Sequence, residues 1–279
     1  MAHIGALRAL NHLGYYPSVI AGVSIGALIA ATYALNPNWY VSLREMDVTG
    51  FPSLPDFKTH TVTQKLKSFA VAGRDLRALT FGWGIGEHTV DWGRSVIESL
   101  TLGKHLEQGR VQTLITATDL LTGERIVKTR GNAADAVYAS SALAGILPPF
   151  EDGPHLLVDG GYSDASPIDL VRQEGLDRVI IVNPEQSSNA NLPRNGLEAL
   201  LRSIEITHKA FSRLRHEHAD IVIRPRFSSQ VGLFDFQRKR PCIAAGAIAV
   251  KRASAELESK LAPIHPQKAA VNAQRSPCE

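Results

Sequence analysis

Cysteine is scarce in this sequence, and the positive and negative side chains nearly balance. Cys242 and Cys278 are the two cysteines among 279 residues, and Cys278 stands in a polar C-terminal stretch, so no disulfide framework is indicated. No basic segment followed by an apolar stretch opens the chain, so we expect no secretory signal and a cytoplasmic location. The formal net charge of +3 is too small to indicate a nucleic-acid partner.

Uninterrupted apolar runs of membrane-spanning length are also missing. Residues 14–43 contain no charged side chain, but Pro17, Gly22 and Pro37 interrupt this stretch. Because a spanning helix needs about 20 consecutive apolar residues, a buried strand, a tight turn and a buried helix explain the stretch better. With 44% hydrophobic residues, the chain can form one sizeable core. We therefore expect one domain over residues 1–262 and a flexible tail over residues 263–279.

The sequence shows no ligand spacing typical of a metal site or of a phosphate loop. His216 and His218 are close together on a predicted helix and would lie on different faces of it. The glycine-rich segment 82–86 lacks the Gly-Lys-Ser/Thr ending of a phosphate loop and does not follow a predicted strand. We therefore expect neither a metal ion nor an organic cofactor.

Short apolar strands alternate with helical patterns along most of the chain. The predicted strands cover residues 18–21, 110–119, 124–129, 155–158, 179–182 and 220–223. Helical patterns lie between most of these strands. The alternation predicts an α/β fold, a three-layer sandwich around a mostly parallel central sheet.

Residues 38–109 depart from this alternation. They contain two amphipathic helical patterns and a glycine-aromatic loop, all within residues 57–86. We predict a helical insertion that flanks the core, as a candidate lid or lipid-facing surface. Trp83 and Trp92 in this block fit peripheral contact with a membrane, and they also fit an ordinary lid core, so both interpretations stay open.

A nucleophile elbow is indicated near the start of the chain. Residues 22–26 read Gly-Val-Ser-Ile-Gly, the G-x-S-x-G pattern, and Ser24 lies where a predicted strand turns into a predicted helix. Gly22 and Gly26 would let strand and helix approach closely, and the Ile25 N–H would face a developing oxyanion. The pattern predicts Ser24 as a nucleophile, although a structural turn with a bystander serine also fits the motif alone.

An aspartate followed by two glycines ends a later apolar strand. Asp159 precedes Gly160 and Gly161 in this motif, and acidic residues at strand ends often point into a ligand crevice. The motif indicates Asp159 as a candidate base, with an aspartate that caps a turn as the alternative. The histidine nearest to a motif is His155, and a role at a strand edge explains it better than catalysis.

These two motifs, in this order, resemble the patatin-like phospholipase family. Other segments similar to the family are residues 3–7, 117–123, 139–149 and 179–182. The resemblance covers residues 2–184 and implies a patatin-like α/β fold. It implies a serine acyl-ester hydrolase that acts on lipid esters, as a phospholipase A or a lysophospholipase. It also implies a Ser24–Asp159 dyad without a catalytic histidine or a cofactor.

The sequence departs from the family at its start. The family places a glycine-rich loop, whose N–H groups form most of its oxyanion hole, before the helix that begins here at Ala2. This sequence begins at Met1 without that loop, and we expect that Met1 is an internal methionine of the gene. Two alternatives to the hydrolase therefore stay open. One is a catalytically impaired, truncated patatin-like protein that binds lipid or a partner, and the other is a Ser-His-Asp α/β-hydrolase. The oligomeric state does not follow from the sequence.

Overall fold

The structure is a computed structural model, and it covers most of the predicted domain. It describes residues 1–50, 89–184, 196–229 and 235–261, together with Pro193 and Val231. Residues 51–88, which contain Trp83 and both predicted amphipathic patterns, lie outside the described residues. The tail predicted over residues 263–279 lies outside them as well.

Strands and helices alternate along the described chain, as predicted. The strands are β1 (Val19–Gly22), β2 (Gln112–Asp119), β3 (Arg125–Lys128), β4 (Phe150–Asp152), β5 (His155–Asp159), β6 (Ile180–Val182) and β7 (Ile221–Ile223). The helices are α1 (Ala2–His12), α2 (Ile25–Leu35), α3 (Trp39–Glu45), α4 (Val90–Thr101), α5 (Ala133–Ser141), α6 (Ile168–Gln173), α7 (Gly196–His216), α8 (Lys239–Arg252) and α9 (Ser254–Leu261). Helices α3 and α4 are the described parts of the insertion predicted over residues 38–109.

Five strands form one mixed sheet. Their order is β1-β2-β5-β4, and β3 also pairs with β2. Strand β1 is parallel to β2, whereas the β2–β3, β2–β5 and β4–β5 pairs are antiparallel. This corrects the prediction of a mostly parallel sheet. The cause is local, because the turn at Thr122 and Gly123 and the two-residue connection Gly153-Pro154 reverse the chain as hairpins.

Two strand ends meet beside the middle of β2. Gly22 at the end of β1 and Lys128 of β3 both pair with Ile115, so these two strands lie on opposite edges of β2. Asp159 at the end of β5 pairs with Ala117, which β3 also pairs with, so β5 lies on the same edge of β2 as β1. The residues that follow β1 and β5 are therefore brought to the same level of the sheet.

Helices pack on both sides of the mixed sheet, which confirms the three-layer α/β arrangement. The largest apolar cluster includes Leu28 of α2, Val137 of α5 and Ile115 of β2. Strands β6 and β7 form a separate parallel pair, and α7 lies between them in the chain as their crossover. No stretch of helix within the described ranges has the length and hydropathy needed to traverse a lipid bilayer.

Helices α1 and α8 touch through their backbones at two glycines. A Cβ on Gly5 would lie 1.8 Å from the carbonyl oxygen of Ile243, and one on Gly246 would lie 1.9 Å from the carbonyl oxygen of Ala2. Any side chain at either position would overlap the facing helix. Helix α8, near the end of the described chain, is thus fixed against α1.

Candidate active site

The turn between β1 and α2 holds Ser24 in an unusual backbone conformation. Ser24 has φ 53° and ψ −122°, a region that residues with a side chain rarely adopt and that costs about 1–3 kcal/mol. A Cβ on Gly22 would lie 2.4 Å from the carbonyl oxygen of Gly26, whereas a Cβ on Gly26 would contact nothing within 4 Å. Close approach therefore requires the first glycine of the motif but not the second.

A hydrogen bond that Ser24 donates to helix α5 holds this turn. The Ser24 N–H donates to the Oγ of Ser140 at 2.8 Å, and Ser140 is fully buried near the C-terminal end of α5. The Asp159 N–H donates to the carbonyl oxygen of Ala142, which follows the same helix, at 3.0 Å. The end of α5 thus binds the backbone of both predicted catalytic residues. No role for Ser140 could be predicted from the sequence, where its one signal was the similarity of residues 139–149 to the family.

The start of α5 is also fixed by a side chain. The side-chain oxygen of Asn132 accepts hydrogen bonds from the N–H groups of Ala134 at 2.8 Å and Asp135 at 3.2 Å. Such a cap satisfies donors that a helix start leaves free. Helix α5 is therefore fixed at its first turn as well as at the end that contacts Ser24.

Close backbone packing surrounds Asp159. The Gly161 N–H donates to Asp159 Oδ1 at 2.8 Å, and the Thr118 hydroxyl donates to the Asp159 carbonyl oxygen at 2.9 Å. A Cβ on Gly160 would lie 2.2 Å from the carbonyl oxygen of Thr116. The glycine after the aspartate is therefore required by its contact with β2.

The structure brings Ser24 and Asp159 together. Asp159 is 7% exposed, and burial raises the pKa of its carboxyl to about 6, while hydrogen bonds from the Ser24 side chain and the Gly161 backbone act in the opposite direction. Burial has the larger effect on this pKa because it removes the water that stabilises the carboxylate. The result is an aspartate of unusually high basicity beside a serine hydroxyl.

The first turn of α2 presents an N–H group next to Ser24. The Gly26 N–H donates to the carbonyl oxygen of Val23 at 2.8 Å. No acceptor within the described ranges binds the Ile25 N–H. This group lies at the positive end of the helix dipole, so it can stabilise an anion that forms at Ser24.

His155 is engaged elsewhere. Its Nδ1 lies 2.9 Å from Oδ2 of Asp119, and this hydrogen bond is the main cause that lowers the pKa of Asp119 to about 2. His155 begins β5 and Asp159 ends it, which separates the two by about 13 Å along the strand. The structure therefore does not bring His155 to Ser24.

A different histidine, His208 of α7, lies near Asp159. A Cβ on Gly161 would be 3.2 Å from Cε1 and 3.6 Å from Nε2 of His208, and 3.1 Å from Asp159 Oδ1. The His208 ring also meets the Tyr162 ring edge-on at 5.8 Å between centroids. Its signal in the sequence was a polar ring within an apolar stripe of α7.

An ionic cluster holds the loop that follows the aspartate motif. Asp164 is 1% exposed and binds Arg125 at 2.5 Å and Arg215 at 3.1 Å. Arg125 also binds both carboxylate oxygens of Asp169 at 2.9 and 2.6 Å, and these hydrogen bonds hold the pKa of Asp169 below its usual range. Because Arg125 belongs to β3 and Arg215 to α7, the cluster joins the sheet, the loop and α7.

The side chains at this site suit acid–base and nucleophilic chemistry. In the described part of the chain, no three histidine, cysteine, aspartate or glutamate side chains are grouped so that they could hold a metal ion. A buried base, a serine on a strained turn and a helix N-terminus are instead the parts of an acyl-transfer site.

Among models of known families, the one described as patatin-like phospholipase matches residues 1–172. The match covers more than half of the chain. It includes Ser24 and Asp159, whereas His208 lies beyond it.

Curated relatives support the same assignment. Lysophospholipase NTE1 of Cryptococcus neoformans is 29% identical over 183 residues, which are 66% of this chain and 10% of that protein. An uncharacterized NTE family protein of Mycobacterium tuberculosis, MT2641, is 25% identical over 281 residues, which are 91% of this chain and 44% of that protein. The chain thus spans less than half the length of these relatives. Among solved structures, VipD from Legionella pneumophila matches with a TM-score of 0.49 and 12% identity, over 93% of this chain and 64% of that one.

Proposed function

The chain belongs to the patatin-like phospholipase family, and from this premise we propose that it hydrolyses carboxylic esters of lipids through a Ser24–Asp159 dyad. The observation that carries the proposal is the buried Asp159 carboxylate, whose pKa is raised to about 6 beside the Ser24 hydroxyl. A carboxylate with this pKa is a stronger base than an ordinary aspartate and is still mostly ionised at neutral pH. It can therefore activate the serine without a histidine.

The first half of the reaction forms an acyl-enzyme. Ser24 Oγ attacks the ester carbonyl carbon while Asp159 takes the hydroxyl proton. The carbonyl oxygen becomes an oxyanion, and the Ile25 N–H with the positive end of α2 stabilises it. The bond to the leaving alcohol then breaks, and this alcohol takes the proton from Asp159. An acyl ester of Ser24 and an ionised Asp159 remain.

The second half releases the fatty acid. Water attacks the carbonyl carbon of the acyl-enzyme while Asp159 takes one of its protons. The bond between this carbon and Ser24 Oγ breaks, and Ser24 takes the proton back from Asp159. The free enzyme is restored, and the carboxylic acid product ionises at neutral pH.

The substrate class follows from the relatives. The fungal relative is named a lysophospholipase, which makes a single-chain phospholipid the first substrate to test. We propose lysophospholipids and phospholipids as the natural esters.

The test combines covalent labelling with turnover. The protein is treated with a fluorophosphonate probe, which reacts with activated serines, and release of fatty acid from lysophosphatidylcholine is measured in parallel. We expect Ser24→Ala to abolish both signals and Asp159→Asn, which keeps the shape of the side chain, to lower both by roughly 10²–10⁴-fold.

His155→Ala is the matched control. We expect it to keep most activity, because His155 binds Asp119 rather than Ser24. Loss of activity in this variant with full activity in Asp159→Asn would support a Ser-His-Asp enzyme instead. Binding of phosphatidylcholine vesicles by folded protein, without labelling or turnover, would support the lipid-binding alternative.

A further inference from the structure

We propose that His208 is a third polar group of the active site and orients the water that hydrolyses the acyl-enzyme. This inference rests on the proposed function and adds a role for α7, which lies outside the range matched by the family model. No residue of the two sequence motifs has this role.

His208 and Asp159 face each other across Gly161. The position that a Cβ on Gly161 would occupy lies 3.1 Å from Asp159 Oδ1 and 3.2 and 3.6 Å from two atoms of the His208 ring. A side chain on Gly161 would press on both groups, so the glycine lets the carboxylate and the imidazole approach each other. During deacylation, a water that enters between the two groups would be bound by both.

The imidazole has a polar atom without a protein partner. His208 Nε2 is buried, and no group in the described part of the chain forms a hydrogen bond with it. Buried polar atoms are nearly always paired, with protein or with water. An acceptor or donor that the fold leaves unpaired next to a catalytic base therefore points to a partner that arrives during the reaction.

The surroundings of His208 keep its ring neutral and fixed. Burial lowers the pKa of His208 below its usual range, so at neutral pH one ring nitrogen can accept a hydrogen bond. The Tyr162 ring packs against it edge-on, and the Tyr162 hydroxyl accepts a hydrogen bond from the Ala144 N–H at 3.1 Å. Burial and the Asp159 carboxylate raise the pKa of Tyr162 to about 12, so its hydroxyl stays protonated.

The proposed step is deacylation. One proton of the water passes to Asp159 as the water oxygen bonds to the acyl carbon, and the other proton donates a hydrogen bond to His208 Nε2. The bond between the acyl carbon and Ser24 Oγ then breaks, and Ser24 recovers the proton from Asp159. His208 gains and loses no proton in this step, so it positions the nucleophile without changing the proton balance.

The role predicts an effect on one half of the reaction alone. Acylation by a fluorophosphonate or an activated ester does not use this water, but turnover does. In His208→Phe, which keeps a planar ring against Tyr162, we expect the labelling rate to stay within about threefold. We expect steady-state turnover to fall by roughly tenfold or more, since orientation of a reactant is worth at least that.

Stopped-flow hydrolysis of p-nitrophenyl butyrate by the full chain measures both halves. His208→Phe should release a burst of one nitrophenol per labelled site, followed by a slow phase, and mass spectrometry should find the butyryl group on Ser24. His208→Gln, whose side-chain oxygen can accept the same hydrogen bond, should recover part of the slow phase. His105→Phe, at an exposed histidine, serves as the control and should behave like the unchanged protein.

Each other outcome overturns the inference. If His208→Phe shows no burst and turns over at the rate of the unchanged protein, His208 does not bind the water. Equal loss of labelling and turnover in His208→Phe, with no recovery in His208→Gln, assigns His208 a structural role. Absence of labelling in the unchanged protein is a failure of the proposed function itself and is recognised before any variant is compared.

Discussion

Removal of the Ser140 hydroxyl tests whether α5 holds the nucleophile in place. Ser140→Ala deletes the acceptor of the Ser24 N–H, whose hydrogen bond is 2.8 Å long. A donor left unpaired in a largely buried position costs about 1–3 kcal/mol, and the conformation of Ser24 costs a similar amount. The turn should therefore relax away from its productive geometry. Since 1.4 kcal/mol is a factor of ten, we expect the rate constant of fluorophosphonate labelling to fall by roughly 5- to 100-fold.

The assay compares this rate constant with thermal stability. Ser141→Ala is the matched control, because the hydroxyl of the next residue takes no part in the Ser24 contact. Substrate KM should change less than kcat in Ser140→Ala, since the hydrogen bond positions the nucleophile rather than the lipid. An unchanged labelling rate in Ser140→Ala, or an equal loss in Ser141→Ala, would refute the reasoning.

Three further predictions concern packing, protonation and the ionic cluster. In urea denaturation, Gly246→Ala should lower the free energy of unfolding by about 1–3 kcal/mol, because the new Cβ would overlap α1. The control Gly93→Ala in α4 has open space around it and should raise the free energy of unfolding by up to about 1 kcal/mol. The specificity constant kcat/KM should rise with pH, with its midpoint at about pH 6, as Asp159 ionises. Because folding raises this pKa from 3.8 to about 6, the folded state holds the proton more tightly, so Asp159 should contribute about 3 kcal/mol below pH 4 that is lost as pH rises to 6. Urea unfolding of Asp159→Asn and of the unchanged protein at several pH values checks the sign, because the variant should lack this pH dependence. Arg125→Ala should destabilise the fold by about 1–3 kcal/mol because it removes one of the two arginine partners of the buried Asp164 carboxylate. Arg44→Ala at an exposed pair should change the stability much less, and equal effects would contradict the assigned burial.

Local sequence signals predict the structure well where few residue types fit a given backbone conformation. The helix predicted to follow Ser24 is observed over Ile25–Leu35, because a glycine turn precedes it, an apolar run fills it and Pro37 follows. The motifs around Ser24 and Asp159 could be found for the same reason, since glycine–backbone contacts restrict which residues fit there. The roles of both side chains stay predictions until labelling is measured.

Pairing between distant segments could not be predicted in the same way. The sheet is mixed because β5 runs antiparallel to β2. The strand β4, which forms a hairpin with β5, has three residues and is too short for periodicity to reveal. The position of His208 beside Gly161 depends on how α7 packs against a loop far away in sequence. No local pattern encodes that contact, so the sequence alone does not indicate that His208 lies near Asp159.

The contact between α1 and α8 also has a consequence for how the protein is made. Helix α1 leads directly into β1 and the Ser24 turn, and the face of α1 that carries Gly5 is covered by a helix near the end of the chain. A ribosome that synthesises from the N-terminus exposes α1 long before α8 exists. Because contacts between distant segments form late, we expect the nascent chain to hold an unfinished nucleophile turn, so that esterase activity appears only after residues 239–252 have emerged.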